Sequence, residues 1–96
     1  MFKVLIVDDD ALCRHMLEAM VSREGYLASV VSNGNEALQA IARQPQDLII
    51  TDIIMPHKNG IELIMELFNR GDQTPIIAVS GGPAPLAWNS VCNRRV

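Results

Sequence analysis

The stretch Lys3-Val4-Leu5-Ile6-Val7-Asp8-Asp9-Asp10 decides the fold of this chain, because an apolar run ends abruptly in three acidic residues. A second stretch repeats the arrangement, with Asp52 directly after Leu48-Ile49-Ile50-Thr51. Short apolar runs bounded by charge are typical of buried parallel strands. Ligands of open α/β sheets bind beyond the carboxyl ends of such strands. The two strands should therefore deliver their carboxylates to one crevice.

These carboxylates predict a site for a divalent cation. Like charges that are held close together raise one another's pKa, and a bound cation relieves the repulsion. Asp10 is assigned a different task, because it directly precedes a helical pattern and is placed to cap that helix.

The rest of the chain alternates strands with helices. Strands are predicted at residues 3–7, 27–31, 47–51 and 75–79, and helices at 11–23, 35–43 and 60–69. This order implies right-handed crossovers and a parallel sheet that helices cover on both faces. Helical spacing predicts one buried stripe on the first helix and one on the third. Their members are Leu12, Cys13, Met16, Leu17, Met20 and Val21, and then Ile61, Ile64, Leu67 and Phe68.

The C-terminal segment breaks the alternation. Pro83 and Pro85 keep its start extended or turned. Residues 86–92 have the composition of a short helix, and no fifth strand is predicted. We therefore expect one domain over residues 1–82, followed by an irregular tail at residues 83–96.

Composition excludes several classes of protein. The chain has 96 residues, of which 49% are apolar, so it is long enough for one domain with a core. Its net charge of −3 argues against nucleic-acid binding, which needs a basic face. No apolar run reaches the length of a membrane span. Two cysteines, Cys13 and Cys92, make neither a disulfide framework nor a zinc pattern, and a cytoplasmic location is expected.

An ordered set of motifs resembles the response-regulator receiver domain, the phospho-acceptor module of two-component signalling. The resemblance runs from residue 3 to about residue 82 and implies a flavodoxin-like, doubly wound α/β fold. Its strand order would be 2-1-3-4, with the fifth strand missing or replaced. The motifs are Lys3 to Asp10, Asn33-Gly34-Asn35-Glu36-Ala37-Leu38, Asp47 to Pro56, Gly60 eight residues after Asp52, and Pro75-Ile76-Ile77-Ala78-Val79-Ser80.

The resemblance implies a role for each matching residue. Asp52 would accept a phosphoryl group from a sensor histidine kinase or a phosphotransfer protein. Asp8, Asp9, Asp52 and the backbone carbonyl of Ile54 would hold Mg²⁺, which prefers oxygen ligands. The hydroxyl of Ser80 would turn toward the phosphoryl group and report its presence. We therefore expect a signalling module and not an enzyme.

The sequence departs from the family where a lysine should end the fifth strand. The only lysines are Lys3 and Lys58, and neither is at the matching place. The site would lack one cation for the charge of the transition state, so phosphorylation is expected to be slow or absent. Strand four would become an edge, which invites pairing. We expect the tail to pack on this edge, or two chains to share the edge or the tail in a homodimer.

Two alternatives remain at this point. The first is a pseudo-receiver, which keeps the fold and acts as a phosphorylation-independent interaction or dimerisation module; the missing lysine favours it and the acidic residues oppose it. The second is a Mg²⁺-dependent phosphatase with an aspartyl nucleophile. Such enzymes place a second acid two residues after the nucleophile, where this chain has Ile54. A dinucleotide site is excluded, because the first strand leads into acids and not into a glycine-rich turn.

Overall fold

The computed structural model describes residues 1–53 and 59–79, together with the main chain of residues 92–93. The predicted alternation of strands and helices is confirmed, with the limits of α2, β3 and β4 differing by one residue from those predicted. The strands are β1 (Lys3–Val7), β2 (Leu27–Val31), β3 (Leu48–Asp52), β4 (Ile76–Val79) and β5 (Cys92–Asn93), and the helices are α1 (Ala11–Arg23), α2 (Gly34–Arg43) and α3 (Gly60–Asn69).

The strands form one sheet in the order β2-β1-β3-β4-β5. The first four strands are parallel to one another, which confirms the flavodoxin-like α/β fold and the order 2-1-3-4. The sequence predicts no fifth strand, whereas the structure has a two-residue strand, β5, antiparallel to β4. Two residues are too few for a periodic pattern to reveal a strand. Part of the tail thus covers the β4 edge, and Cys92, predicted as the last residue of a short helix, lies in this strand instead. Residues 83–91 and 94–96, including the rest of the predicted helix, lie outside the described residues.

Successive residues of each central strand point to opposite faces of the sheet, which gives the molecule two apolar layers. One layer lies between the sheet and the helices α2 and α3, and the other lies between the sheet and α1. The first contains Leu5, Val7, Ala37, Ile49, Leu63, Leu67 and Ile76, and the second contains Val4, Ile6, Leu17 and Ile50. The central strands are therefore buried on both faces, as continuous apolar runs predict.

The predicted stripe on α1 is only partly correct. Leu17 is buried, but Leu12, Met16 and Met20 are 65%, 40% and 45% exposed. Among the described helices, α1 is the only one that packs on its face of the sheet, so one flank of α1 has no neighbouring helix there.

The same correction applies to α3. Leu67 is buried as predicted, but Ile61 and Phe68 are exposed and Leu63 takes an inward position instead. Within the described part of the chain, no helix is long and apolar enough to cross a membrane.

Candidate functional site

The carboxyl ends of β1 and β3 bring the predicted acidic residues together. Val7 of β1 is in register with Thr51 of β3, so the next residues, Asp8 and Asp52, lie side by side. The hydrogen bonding of the sheet continues at Asp8, whose N–H donates to the carbonyl oxygen of Val31 at 3.1 Å. This pairing fixes the main chain of the candidate site from the neighbouring strand.

Asp8, Asp9 and Asp52 each offer a carboxylate oxygen, and these oxygens lie within 4.8 Å of one another. Asp8 is buried, Asp52 is half-buried and Asp9 is exposed. The group therefore runs from the interior of the sheet to the solvent, which leaves one side open to an incoming ion or phosphoryl group.

The environment of Asp8 favours a bound cation. Burial raises the pKa of Asp8 from 3.8 to about 6, against the lowering effect of a hydrogen bond from the main chain of Asp10. The negative charges of Asp52, Asp9 and Asp10 add to the increase. A divalent cation would offset both the desolvation and the mutual repulsion of these carboxylates. Three clustered oxygen donors of this kind fit Mg²⁺, which prefers hard oxygen ligands.

Asp10 caps α1, as its position predicts. Its Oδ1 atom accepts hydrogen bonds from the main-chain N–H groups of Leu12 at 2.9 Å and Cys13 at 3.4 Å. The main-chain N–H of Asp10 donates to Oδ1 of Asp8 at 2.9 Å. Asp10 therefore supports the carboxylate group through its main chain and is not one of its three members.

Cys13 borders the same carboxylates and is half-buried. Burial raises the pKa of the Cys13 thiol to about 11, and the charges of Asp8, Asp10 and Asp52 contribute to the increase. The thiol therefore stays protonated near neutral pH, whereas a metal ligand must be the thiolate. Helical spacing predicts Cys13 in a buried stripe and does not predict its position beside the site.

Gly60 holds the start of α3 against Asp52. An ideal Cβ on residue 60 would overlap the main-chain carbonyl oxygen of Asp52 and lie 2.8 Å from the Cα atom of Ile53. The N–H of Gly60 donates to the carbonyl oxygen of Ile53 at 2.9 Å. Asn59 and Glu62 form a capping box that fixes the first turn of α3. A glycine eight residues after Asp52 thus has a steric cause in this fold.

Arg14 is a second residue beside the site that the sequence does not predict there. It is half-buried, and its Nη1 atom donates to the main-chain carbonyl oxygen of Asp8 at 2.8 Å. One signal was available, since a basic residue near the start of a helix opposes the helix dipole and needs another reason to be there.

Two residues of the predicted site, Ile54 and Ser80, lie outside the described residues, as does Lys58. The described lysine, Lys3, begins β1 and is five residues from Asp8 along an extended strand. At the usual rise of a strand, about 16 Å separate the two main-chain positions. Lys3 lies at the opposite end of β1 and therefore does not serve as the missing cation.

The family model of the response regulator receiver domain matches residues 4–86. The chain belongs to this family. The match begins at the second residue of β1 and continues past β4, so it includes both strand ends that carry the carboxylates. The resemblance of the motifs to receiver domains is thus confirmed at the level of the family.

Curated relatives of this receiver domain are longer proteins. The "Regulator of RpoS" of Escherichia coli K12 is 37% identical over 78 residues, which are 81% of this chain and 23% of the relative. The "Response regulator MprA" of Mycobacterium leprae is 35% identical over 78 residues, or 34% of its own length. The chain therefore spans about a quarter to a third of the relatives it matches.

Solved receiver domains share the fold. The receiver domain of the Francisella response regulator 1452 has a TM-score of 0.81 and 30% identity, covering 88% of this chain and 70% of that chain. The response regulator TrrA of Thermotoga maritima, in complex with Mg²⁺-BeF, has a TM-score of 0.79 and 34% identity, covering 83% and 70% of the two chains.

Proposed function

We propose that Asp52 accepts a phosphoryl group from a phosphohistidine of a sensor histidine kinase or phosphotransfer protein, in a reaction that depends on Mg²⁺. The observation that carries the proposal is the group of three carboxylates, with oxygens within 4.8 Å, at two adjacent strand ends of a receiver domain. The structure of the response regulator TrrA, which shares this fold, was solved in complex with Mg²⁺-BeF, and this supports a Mg²⁺ site in this chain.

Asp52 provides the nucleophile in this proposal. One of its carboxylate oxygens attacks the phosphorus atom, the phosphorus–nitrogen bond of the phosphohistidine breaks, and the electron pair leaves with the imidazole. The product is an acyl phosphate on Asp52. Such a transfer requires mainly in-line positioning and neutralisation of charge. The half-burial of Asp52 suits both needs, because the carboxylate is fixed by β3 and still accessible.

Asp8 and Asp9 hold the cation beside the acceptor. When bound, Mg²⁺ neutralises negative charge on the phosphoryl oxygens. Asp8 contributes a buried carboxylate that the cation would keep ionised, and Asp9 contributes an exposed one at the rim. The carbonyl oxygen of Ile54 is proposed as a fourth ligand, and the hydroxyl of Ser80 as the group that responds to the new phosphate. Both of these assignments rest on the family resemblance.

The new phosphate would change partner binding and not catalysis. An acyl phosphate adds about −1.5 to −2 charges, which rebias nearby hydrogen bonds. We infer a cytoplasmic signalling module that is not an enzyme, does not bind nucleic acid and contacts a kinase or phosphotransfer partner. A homodimer through the β4 edge or the tail stays a prediction, and a concentration series by light scattering tests it.

A second candidate is the pseudo-receiver, which the missing lysine favours. Lys3 begins β1, at the end of the strand opposite Asp8, and the only other lysine of the sequence is Lys58, which lies outside the described residues. A site that lacks this cation stabilises the transition state less well, so transfer would be slow or absent.

Intact mass spectrometry after incubation with Mg²⁺ and acetyl phosphate distinguishes the two candidates. A phosphate-sized gain that requires Mg²⁺ and is lost in Asp52→Asn supports the receiver. No gain in a protein that still binds Mg²⁺ supports the pseudo-receiver. Asp47→Asn is the matched control, because Asp47 is an exposed carboxylate whose Oδ2 accepts from the N–H of Lys3 at the opposite end of the sheet.

A further inference from the structure

Arg14 links α1 to the end of β1 beside the candidate site. It lies on α1, and its Nη1 atom donates to the carbonyl oxygen of Asp8, at the end of β1, at 2.8 Å. Its charge also reaches Glu36 of α2: hydrogen bonds from the main chain and hydroxyl of Ser32 lower the pKa of Glu36, and Arg14 lowers it further. The hydrogen bond to Asp8 therefore anchors the guanidinium at the end of β1, and its charge acts on Glu36 without a hydrogen bond between the two side chains.

The atom that Arg14 contacts belongs to the peptide bond between Asp8 and Asp9. A peptide unit is planar, so fixing its carbonyl oxygen also fixes the N–H and Cα atoms of Asp9. The other contacts of Asp8 are its N–H to Val31 at 3.1 Å and its Oδ1 to the N–H of Asp10 at 2.9 Å. Asp9 itself is exposed, so the direction of its carboxylate depends on how firmly this peptide is held.

We propose that Arg14 is a positioning residue, which fixes the Asp8–Asp9 peptide and thereby presents both carboxylates in the geometry that Mg²⁺ binds. The inference rests on the proposed function, since it concerns the same cation site. Groups that orient metal ligands without touching the metal commonly change metal affinity by about 10- to 100-fold.

Positioning and charge predict opposite effects when Arg14 is replaced. If Arg14 acted only through its positive charge, it would repel Mg²⁺, and a neutral residue would tighten Mg²⁺ binding. If Arg14 acts by holding the peptide, its loss lets the Asp8–Asp9 peptide move and weakens Mg²⁺ binding. The sign of the change therefore separates the two roles.

The experiment is a Mg²⁺ titration by isothermal calorimetry on the wild type, Arg14→Gln, Arg14→Lys and the control Arg23→Gln. Arg23 is an exposed arginine in the last turn of α1, so its replacement makes the same charge change away from the site. We expect Arg14→Gln to bind Mg²⁺ about 10-fold more weakly. Arg14→Lys keeps the charge, lacks the planar guanidinium and should also bind more weakly, whereas Arg23→Gln should match the wild type.

A second measurement needs no Mg²⁺. Amide hydrogen exchange at Asp10, whose N–H donates to Oδ1 of Asp8 at 2.9 Å, should be faster in both Arg14 variants of the metal-free protein than in the wild type, while exchange in β1 is unchanged. Faster exchange would then be confined to the segment that follows Asp8. A general loss of stability would instead raise exchange in β1 as well. If Arg14→Gln fails to fold, Arg14→Lys decides the question by the same two readouts.

Equal or tighter Mg²⁺ binding by the Arg14 variants, with unchanged exchange at Asp10, would overturn the positioning role and leave the proposed function intact. A wild-type protein that does not bind Mg²⁺ would overturn the proposed function and this role with it. The two failures are therefore distinguishable in one set of titrations.

Discussion

Gly60 lies so close to Asp52 that a side chain at residue 60 would overlap the main-chain carbonyl oxygen of Asp52. The start of α3 and the candidate acceptor are therefore packed backbone against backbone. Because Asp52 ends β3 and Gly60 begins α3, any residue larger than glycine must push these two elements apart.

Gly60→Ala should destabilise the protein and disturb the site. Overpacking of this kind typically costs about 1–3 kcal/mol, and here the obstacle is main chain, which yields less easily than a side chain. Urea unfolding measures the loss of stability, and a Mg²⁺ titration should show weaker binding because Asp52 is displaced.

Gly25→Ala is the matched control for this variant. Gly25 has a φ of +88° and open space around the position of a Cβ, so alanine there is strained without a clash. We expect a cost of about 1 kcal/mol and unchanged Mg²⁺ affinity. Equal effects of the two substitutions on Mg²⁺ affinity would show that the contact between Gly60 and Asp52 has no role at the site.

Asp8 should make the metal-free protein less stable as the pH rises. Its pKa is 3.8 in the ordinary state and about 6 in the fold, so the folded state holds the proton more tightly. Well below pH 3.8 both states are protonated and Asp8 has no effect on stability. Between pH 3.8 and pH 6, Asp8 ionises in the unfolded state but stays protonated in the folded state, which favours unfolding. Above pH 6 the free energy of unfolding is lower by the full amount of about 2–3 kcal/mol.

Urea unfolding with EDTA at pH 4 and pH 7 tests this effect on the wild type and Asp8→Asn. Asparagine keeps an Oδ1 acceptor for the N–H of Asp10 and removes the charge. The free energy of unfolding of Asp8→Asn, measured relative to that of the wild type, should be about 2–3 kcal/mol higher at pH 7 than at pH 4. If the free energies of unfolding of the variant and the wild type differed by the same amount at both pH values, Asp8 would have an ordinary pKa in the folded protein.

Asp10 should matter for the stability of α1 and little for Mg²⁺ binding. Its Oδ1 atom caps the helix through Leu12 and Cys13, and loss of such a cap costs about 1 kcal/mol. Asp10→Ala should therefore lower the free energy of unfolding, partly offset by reduced repulsion at Asp8. Asp10→Ser retains a capping oxygen and should restore most of the stability. A large loss of Mg²⁺ affinity in Asp10→Ser would instead make Asp10 a ligand.

The site could be predicted from sequence where it depends on strand ends. Apolar runs before Asp8 and Asp52 predict two buried parallel strands, and parallel strands bring their carboxyl ends to one edge of the sheet. The capping role of Asp10 follows from its position before a helical pattern. These inferences depend only on local hydrophobic periodicity and on the order of strands and helices, and both can be read from the sequence.

Features that depend on neighbours across the fold could not be predicted. Periodicity shows that Leu12, Met16 and Met20 share a side of α1, but exposure depends on whether another helix lies beside that flank. The contact of Arg14 with the carbonyl oxygen of Asp8 depends on a side-chain conformation that spacing does not specify. β5 is a two-residue strand whose pairing with β4 is a tertiary contact and leaves no pattern in the sequence.

The central claim is that Asp52 is the phosphoryl acceptor, and borohydride trapping tests it most directly. Borohydride reduces an acyl phosphate on an aspartate to homoserine, which tandem mass spectrometry locates to a single residue. After incubation with Mg²⁺ and acetyl phosphate, we predict homoserine at position 52, and none there when Mg²⁺ is omitted. Homoserine at another aspartate, or none at any position in a protein that binds Mg²⁺, would contradict the claim.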